Sequence, residues 1–379
     1  MRVLFVSSPG AGHVFPMVPL AWALRAAGHE VLVATTDTGL IAARAGLPVV
    51  DLAPDVDLDA VRTRLLREEP RLAELALKGG LDDVREAVGA FAHISALLAD
   101  GLVAAALTWR PDLVVQSQLQ GAGLVAAARI GVPLVDHGFG FARTGGLAAL
   151  FRGHMAEVFD RHGVDLPARH AVIDVAPPSM LDGPPQGWSM RYVPYNGGAQ
   201  LPAWLSDPPE RPRVAVSVGT VVPERNGLRS LRRLVDAASE VDAEFVLALG
   251  EADPTPLGPL PANVRPVGWV PLNSLLPTCR AIVHHGGAGT TLTALACGVP
   301  QLVLPNGADR HINALAARRR NTALVSSPED VTDHELRSVL ADDALRSDAD
   351  DVRREIEALP TPADTVDRLV RLATPRRPR

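Results

Sequence analysis

The feature that most limits how this chain can fold is a junction in its C-terminal half, within residues 269–310. An apolar run at residues 281–285, Ala-Ile-Val-His-His, breaks into Gly286, Gly287, Ala288 and Gly289, and an amphipathic run follows from Thr290. That order predicts a strand, a glycine turn and the start of a helix. Such a joint gathers backbone N–H groups and the positive end of a helix at one point, and its glycines let a phosphate approach the backbone closely. Thr290 and Thr291 stand where hydroxyls can cap the helix and donate to an anion. An ordinary strand–turn–helix joint would carry the same glycines. The adjacent His284 and His285, and the pair Asp309–Arg310 after the next predicted strand, tilt the reading toward a ligand site.

The start of the chain repeats the pattern. Residues 3–6 (Val-Leu-Phe-Val) read as a strand covered on both faces, residues 7–13 as a glycine loop, residues 16–27 as a helix ended by Gly28, and residues 31–34 as the next strand. This is a βαβ unit, which demands a parallel sheet with right-handed crossovers. Residues 51–108 carry apolar side chains at helical spacing. Strands are then predicted at residues 112–115 and 133–135, with a helix between them at 121–129. Residues 138–195 look irregular and hold Phe139, Phe141, Phe151, Phe159 and Trp188. A second strand series begins at Val214 and continues near residues 245–248, 264–267, 281–283 and 301–304. The 379 residues, 47% hydrophobic, suit two cores rather than one. The expected division is a first Rossmann-like domain over 1–200, a Gly/Pro-rich linker over 201–212, a second Rossmann-like domain over 213–358, and a helical segment over 359–379.

Residues 269–310, together with the opening SSPGAGHVFPMVPLAWALRAAGHEV, resemble family 1 glycosyltransferases, in particular the bacterial branch that glycosylates polyketide and enediyne antibiotics. The resemblance spans nearly the whole chain. It implies the GT-B fold, α/β with two facing Rossmann-like doubly wound parallel-sheet domains, ligands at the carboxyl ends of the strands, and a last helix that crosses back to the first domain.

Sugar transfer from a nucleotide needs a base for the acceptor, a site for the leaving diphosphate and groups that hold the sugar. His13, at the end of a glycine loop before a helix, is the candidate base, since the nearby dipole keeps an imidazole neutral. A loop histidine bonded to backbone is the plainer alternative. By resemblance His13 matches the family's catalytic histidine, which is often paired with an aspartate after the strand at 112–115. Here that place reads Gln116-Ser117-Gln118, which leaves Ser117 as a weak partner and Asp136 as the nearest carboxylate, itself equally readable as a turn or helix cap. Gly12, Phe15, Phe139 and Phe141 are expected around the acceptor. The expected donor residues are His285 with Gly287, Ala288, Gly289 and Thr290 for the diphosphate, and Ser217, Gly219 and Thr220 as a second phosphate loop. Trp269 and Val270 are expected at the nucleobase, Asp309 and Arg310 at the sugar. Where glucosyl-transferring relatives carry a ribose-binding glutamate this chain has Thr293, and Arg310 replaces a usual glutamine. By resemblance the first departure points to a deoxyribose, hence a dTDP-sugar rather than a UDP-sugar, and the second to a deoxygenated sugar other than glucose.

Composition narrows the alternatives. A net charge of −6 with mixed signs gives no general attraction to nucleic acid. Cys279 and Cys297 cannot by themselves make a structural zinc site. No metal and no cofactor beyond the nucleotide-sugar are expected. The first strand begins without a leader, and no apolar run is expected to reach the ~20 residues of a span, so the expectation is a cytoplasmic enzyme acting on a small-molecule aglycone. A homodimer is left open. Residues 55–59 alternate aspartates but lack the glycine and glutamate of a calcium loop. Gly10-Ala11-Gly12-His13, with Asp37 beyond, is a partial dinucleotide fingerprint lacking its third glycine at Phe15. It keeps an NAD-dependent oxidoreductase as an alternative, beside a glycosyltransferase-like helper without catalysis and a nucleotide-sugar epimerase.

Overall fold

The computed structural model describes residues 1–77, 80–219 and 231–374. The chain packs as two units, one formed by Met1–Tyr192 with the returning segment from Leu359, the other by Val193–Ala358. The division therefore falls at Tyr192, ahead of the linker expected over 201–212.

The first unit holds seven parallel strands among the described residues: β1 (Arg2–Val6), β2 (Glu30–Thr35), β3 (Val49–Asp51), β4 (Leu113–Ser117), β5 (Leu134–His137), β6 (His170–Asp174) and β7 (Trp188–Ser189), in the order β3-β2-β1-β4-β5-β6-β7. Val3, Leu4, Val6, Leu113, Val114 and Val115 are fully buried, as apolar strands covered on both faces must be. Residues 138–195 are more regular than expected. They form helices Leu147–His154 and Ala156–His162 and the last two strands of the sheet, β6 and the edge strand β7. Polar residues at both ends of β6 (His170, Asp174) and the two-residue length of β7 removed the apolar signal. The returning helix Pro362–Ala373 is opened by a capping box from Thr361 and Asp364. It is tied to this unit by Arg169, whose guanidinium donates to the Leu372 carbonyl at 2.8 Å, and by the Arg191 N–H donating to the Pro360 carbonyl at 2.7 Å.

One expectation needs correction. Residues 84–109 form a helix long and apolar enough, by length and composition, to cross a membrane. Its residues Val88, Leu98, Ala99, Leu102 and Ala106 are buried in the first unit, and its Asp100 is paired with Arg161 and His162. The helix thus serves as a core element of that unit.

The second unit holds six parallel strands among the described residues: β8 (Arg213–Ser217), β9 (Glu244–Ala248), β10 (Val264–Val267), β11 (Ala281–His284), β12 (Gln301–Val303) and β13 (Ala323–Val325), ordered β10-β9-β8-β11-β12-β13. The three-residue β13 was not anticipated. Val214, Val216, Phe245, Leu247 and Val283 enter one core, whereas Ala215, Val246 and Ile282 enter the other. Alternate residues of one strand thus feed opposite layers, and each fully buried Val, Leu or Phe contributes about 1.5–3 kcal/mol.

In both sheets the strand order reverses beside the first strand, between β1 and β4 and between β8 and β11. Ligands of doubly wound sheets bind at the carboxyl ends of the strands at such a reversal. His13 follows β1, and His284 and His285 end and follow β11, so each sheet carries histidine at its reversal.

Candidate active site

In the second unit, register places His284 beside Ser217 across β11 and β8. The two histidines there have different duties. His284 is buried; the Gly286 N–H donates to its Nδ1 at 3.1 Å, and its Nε2 meets Gln301 Oε1 at 2.8 Å. An Nδ1 that accepts leaves the proton on Nε2, and burial holds the group neutral, with a pKa of about 4. His284 therefore locks the turn. Gly286 takes φ 87°, a conformation that favours glycine.

His285 is closely flanked by backbone that carries no side chain. A Cβ on Gly287 would lie 2.5 Å from its Nε2, and one on Gly219 would lie 2.5 Å from its Cε1 and 2.7 Å from its Nε2. Burial first, then Arg310 and His284, push its pKa down to about 3, with the Ser217 backbone pulling weakly the other way. Its Nδ1 is buried without a hydrogen bond of full geometry among the described residues. His285 is thus a neutral imidazole, and any stabilisation of an anion comes from a ring N–H rather than from a standing positive charge.

The helix Ala288–Ala296 starts from Gly287 with no side chain capping it. The Thr291 hydroxyl donates backwards to the Gly287 carbonyl at 3.0 Å, so the capping expected of the threonines is not made. The first turn of the helix carries Ala288, Gly289 and Thr290 and is the positive end of its dipole. The Gly219 N–H donates to Ser217 Oγ at 3.4 Å, a long contact. Thr220 lies outside the described residues.

Asp309 follows Gly307 (φ 81°) and Ala308 (φ 50°), two consecutive left-handed residues, and opens the helix Arg310–Arg319. Burial raises its pKa, against the pull of Asn313 and Arg310. Asn313, buried one turn on, donates from Nδ2 both to Asp309 Oδ2 at 3.0 Å and to the Gly286 carbonyl at 2.9 Å. One amide therefore ties Asp309 to the glycine turn after β11. The Arg310 guanidinium donates to the Asn306 carbonyl. Trp269 is 36% exposed, and its indole N–H donates to the Asn196 carbonyl at 3.1 Å. Val270 belongs to the core, which leaves it only a backbone role.

In the first unit, His13 lies in the short helix Ala11–Val14 rather than at the end of a loop. Two aromatic rings pack edgewise on it: Phe139 with centroids 4.9 Å apart and Phe91 at 5.3 Å. Burial lowers its pKa to about 4, and its Nδ1 has no hydrogen-bond partner among the described residues. The expected carboxylate partner, Asp136, is engaged by other groups. Asp136 receives Gln116 Nε2 at 2.7 Å and pairs with His170 Nε2 at 2.8 Å. Ser117 Oγ accepts from the Ser8 N–H at 3.3 Å, so it does not orient His13 either. Phe141 is buried, Phe15 is half-buried, and Gly12 is exposed with open space around it.

Residues 22–219 match the N-terminal domain, and residues 232–372 the C-terminal domain, of the erythromycin biosynthesis protein CIII-like family. The chain belongs to that family. The elloramycin glycosyltransferase ElmGT of Streptomyces olivaceus is 44% identical over 372 residues, covering 97% of each chain. The glycosyltransferase SnogD of Streptomyces nogalater superposes with a TM-score of 0.85 at 42% identity over 99% of each chain. VinC, a glycosyltransferase solved in complex with dTDP, gives a TM-score of 0.80 at 33% identity, covering 98% of this chain and 99% of VinC. This CIII-like chain is accordingly a GT-B glycosyltransferase of the natural-product deoxysugar group, and the oxidoreductase alternative lapses.

Sequence reasoning missed Phe91, Asn196 and Asn313 in this CIII-like chain. Phe91 lay in an unbroken helical pattern, and the two asparagines act through partners distant in sequence. The buried imidazoles also make a stability prediction. Unfolded histidines take up protons below about pH 6.5, whereas the fully buried His137 and His284 resist until about pH 4. The unfolded state therefore binds more protons in that window, and stability falls as pH drops through it, by up to about 1.4 kcal/mol per unit for each group. His170, raised by Asp136, works in the opposite sense: its contribution is complete below about pH 6.5 and is lost as pH rises through its folded value. Thermal unfolding at pH 7 and pH 5 checks the balance, with the midpoint expected at least about 5 °C lower at pH 5.

Proposed function

We propose that this enzyme moves a deoxysugar from a dTDP-sugar to a hydroxyl of an aromatic or polyketide acceptor, with inversion and without a metal. His13 takes the acceptor's proton. The acceptor oxygen forms the new bond to the anomeric carbon, the carbon–oxygen bond to the diphosphate breaks, and dTDP leaves with that electron pair. A ring N–H of His285 and the backbone from Gly287 to Thr290 stabilise the negative charge that grows on the diphosphate oxygen. Asp309 accepts from the sugar's hydroxyls, and Trp269 stacks on the base.

The observation that carries this reading is the close approach of the Gly219 and Gly287 backbones to the His285 ring, at a helix start that no side chain caps. Thr293 supports a deoxyribose: its hydroxyl donates to the Gly289 carbonyl at 2.7 Å and accepts from Asn196 Nδ2 at 3.2 Å, so its proton is already committed. A base with a pKa of about 4 and no carboxylate behind it suits a phenol (pKa about 10) better than an aliphatic alcohol. Attack by an aromatic carbon, giving a C-glycoside, draws on the same groups.

The test is incubation with a panel of dTDP-deoxysugars and phenolic polyketides in EDTA, read by mass and by the anomeric proton coupling of the product. A glycoside of inverted configuration formed in EDTA is the expected result. A strict metal requirement, retention of configuration, or donor consumption without acceptor would contradict it, the last favouring an epimerase. The same assay with UDP-sugars should run at least about tenfold less efficiently in kcat/KM; equal use of both would remove the deoxyribose argument.

A further inference from the structure

The donor reading leaves one question open: what fixes the exposed Trp269 indole at a definite distance from the diphosphate turn. A tryptophan on a loop is a useful platform for a base only if its plane is already set, because ordering it on binding would cost affinity. The structure has such a device in Asn196, four residues into the second unit, where the sequence showed only the start of a Gly/Pro-rich stretch.

Three of its polar groups are engaged. Its carbonyl accepts the Trp269 indole N–H at 3.1 Å, its Oδ1 accepts the N–H of Asn273 at 3.0 Å, and its Nδ2 donates to Thr293 Oγ1 at 3.2 Å. Asn273 belongs to the first turn of the helix Leu272–Leu275, just beyond the indole. Thr293 belongs to the helix Ala288–Ala296 that begins at the diphosphate turn. The next residue, Gly197, has φ 78°, and a Cβ there would lie 3.0 Å from the indole Nε1 and 3.1 Å from its Cζ2. The segment therefore runs along the indole edge at a distance that only glycine permits. On the far edge a Cβ at Gly250 would lie 3.5 Å from Cε3.

We propose that Asn196 is a positioning residue for the nucleoside: it bolts the Trp269 platform to the helix that carries the diphosphate turn. This rests on the donor reading above. It predicts that the two ends of a nucleoside diphosphate respond differently to its loss. The diphosphate end keeps its turn, whereas the base end loses a fixed plane.

The test is calorimetric titration of the full chain and of Asn196→Ala with dTDP and, separately, with inorganic pyrophosphate. The variant should bind dTDP about tenfold more weakly, the loss of two side-chain hydrogen bonds, and pyrophosphate as the wild type does. Its KM for the donor should rise while kcat at saturating donor stays within about twofold. In a Trp269→Ala background the Asn196 change should add nothing further for dTDP, since both act through one platform. Unchanged dTDP affinity, an equal loss of pyrophosphate, or additive effects of the two substitutions would overturn the proposal. Should Asn196→Ala fail to fold, Thr293→Val removes the Nδ2 partner together with the hydroxyl's own bond to the Gly289 carbonyl; it should weaken dTDP about threefold and spare pyrophosphate, and no change in dTDP would overturn the proposal. A wild-type protein that binds no dTDP would sink the donor reading itself, a separate outcome.

Discussion

Replacing His13 with alanine should lower turnover by about 10²–10⁴-fold at neutral pH, the usual range for a positioned general base, while leaving dTDP affinity within about twofold. The expectation follows from where the ring stands. It projects from the first turn after β1, at the reversal of the first sheet, held edgewise by Phe91 and Phe139. Burial makes the protonated form unfavourable, so the imidazole is neutral and ready to accept a proton far below the ordinary histidine range. The acid limb of kcat/KM, taken from initial rates on folded enzyme, should therefore fall near pH 4 rather than near pH 6.5: activity persists as pH drops to 5 and is lost through about 4. With Asp136 engaged by Gln116 and His170, Asp136→Asn should affect stability more than rate. A drop in kcat as large as that of His13→Ala would restore the carboxylate to the chemistry.

Gly287→Ala should abolish useful donor binding, weakening dTDP by about 10²-fold or more. Its backbone, at φ −60° and ψ 138°, suits alanine, so no conformational strain enters the comparison. The added methyl would stand 2.5 Å from His285 Nε2 and 3.0 Å from its Cε1, well inside the ~3.5–4.0 Å at which carbon atoms attract. Either the ring is driven off its position or the methyl occupies the space next to the ring nitrogen, and both remove the anion site. Gly153→Ala, where a Cβ meets nothing within 4 Å, serves as the control and should bind dTDP unchanged. An intact affinity in Gly287→Ala would show that the diphosphate lies elsewhere.

The sequence carried much of this because the informative parts are local. Apolar runs such as Val3–Leu4–Phe5–Val6 mark doubly covered strands, and the change from Val283 through two histidines to Gly286–Gly287 marks a strand end, a turn and a helix start within a few residues. Strands β6, β7 and β13 were lost because they are polar or only two to five residues long, where periodicity has nothing to act on. The division of labour between His284 and His285 was hidden as well. It depends on Gln301 and on the Gly286 N–H for one ring, and on two absent side chains for the other. Asn196 and Asn313 could not be read at all, since an asparagine's worth is set by partners such as Thr293 or Gly286 that only folding brings near. Asp136 shows the converse: a carboxylate at a suggestive place whose oxygens are already spoken for.

The central claim is that a dTDP-linked donor is held by the His285 turn of the second unit, while His13 of the first unit serves the acceptor. Calorimetric titration of wild type, His13→Ala and Gly287→Ala with dTDP tests it most directly. Binding in wild type, retained within about twofold in His13→Ala and lost by about 10²-fold in Gly287→Ala, is the predicted result. No dTDP binding by the wild type, or binding that survives Gly287→Ala and disappears in His13→Ala, would contradict it.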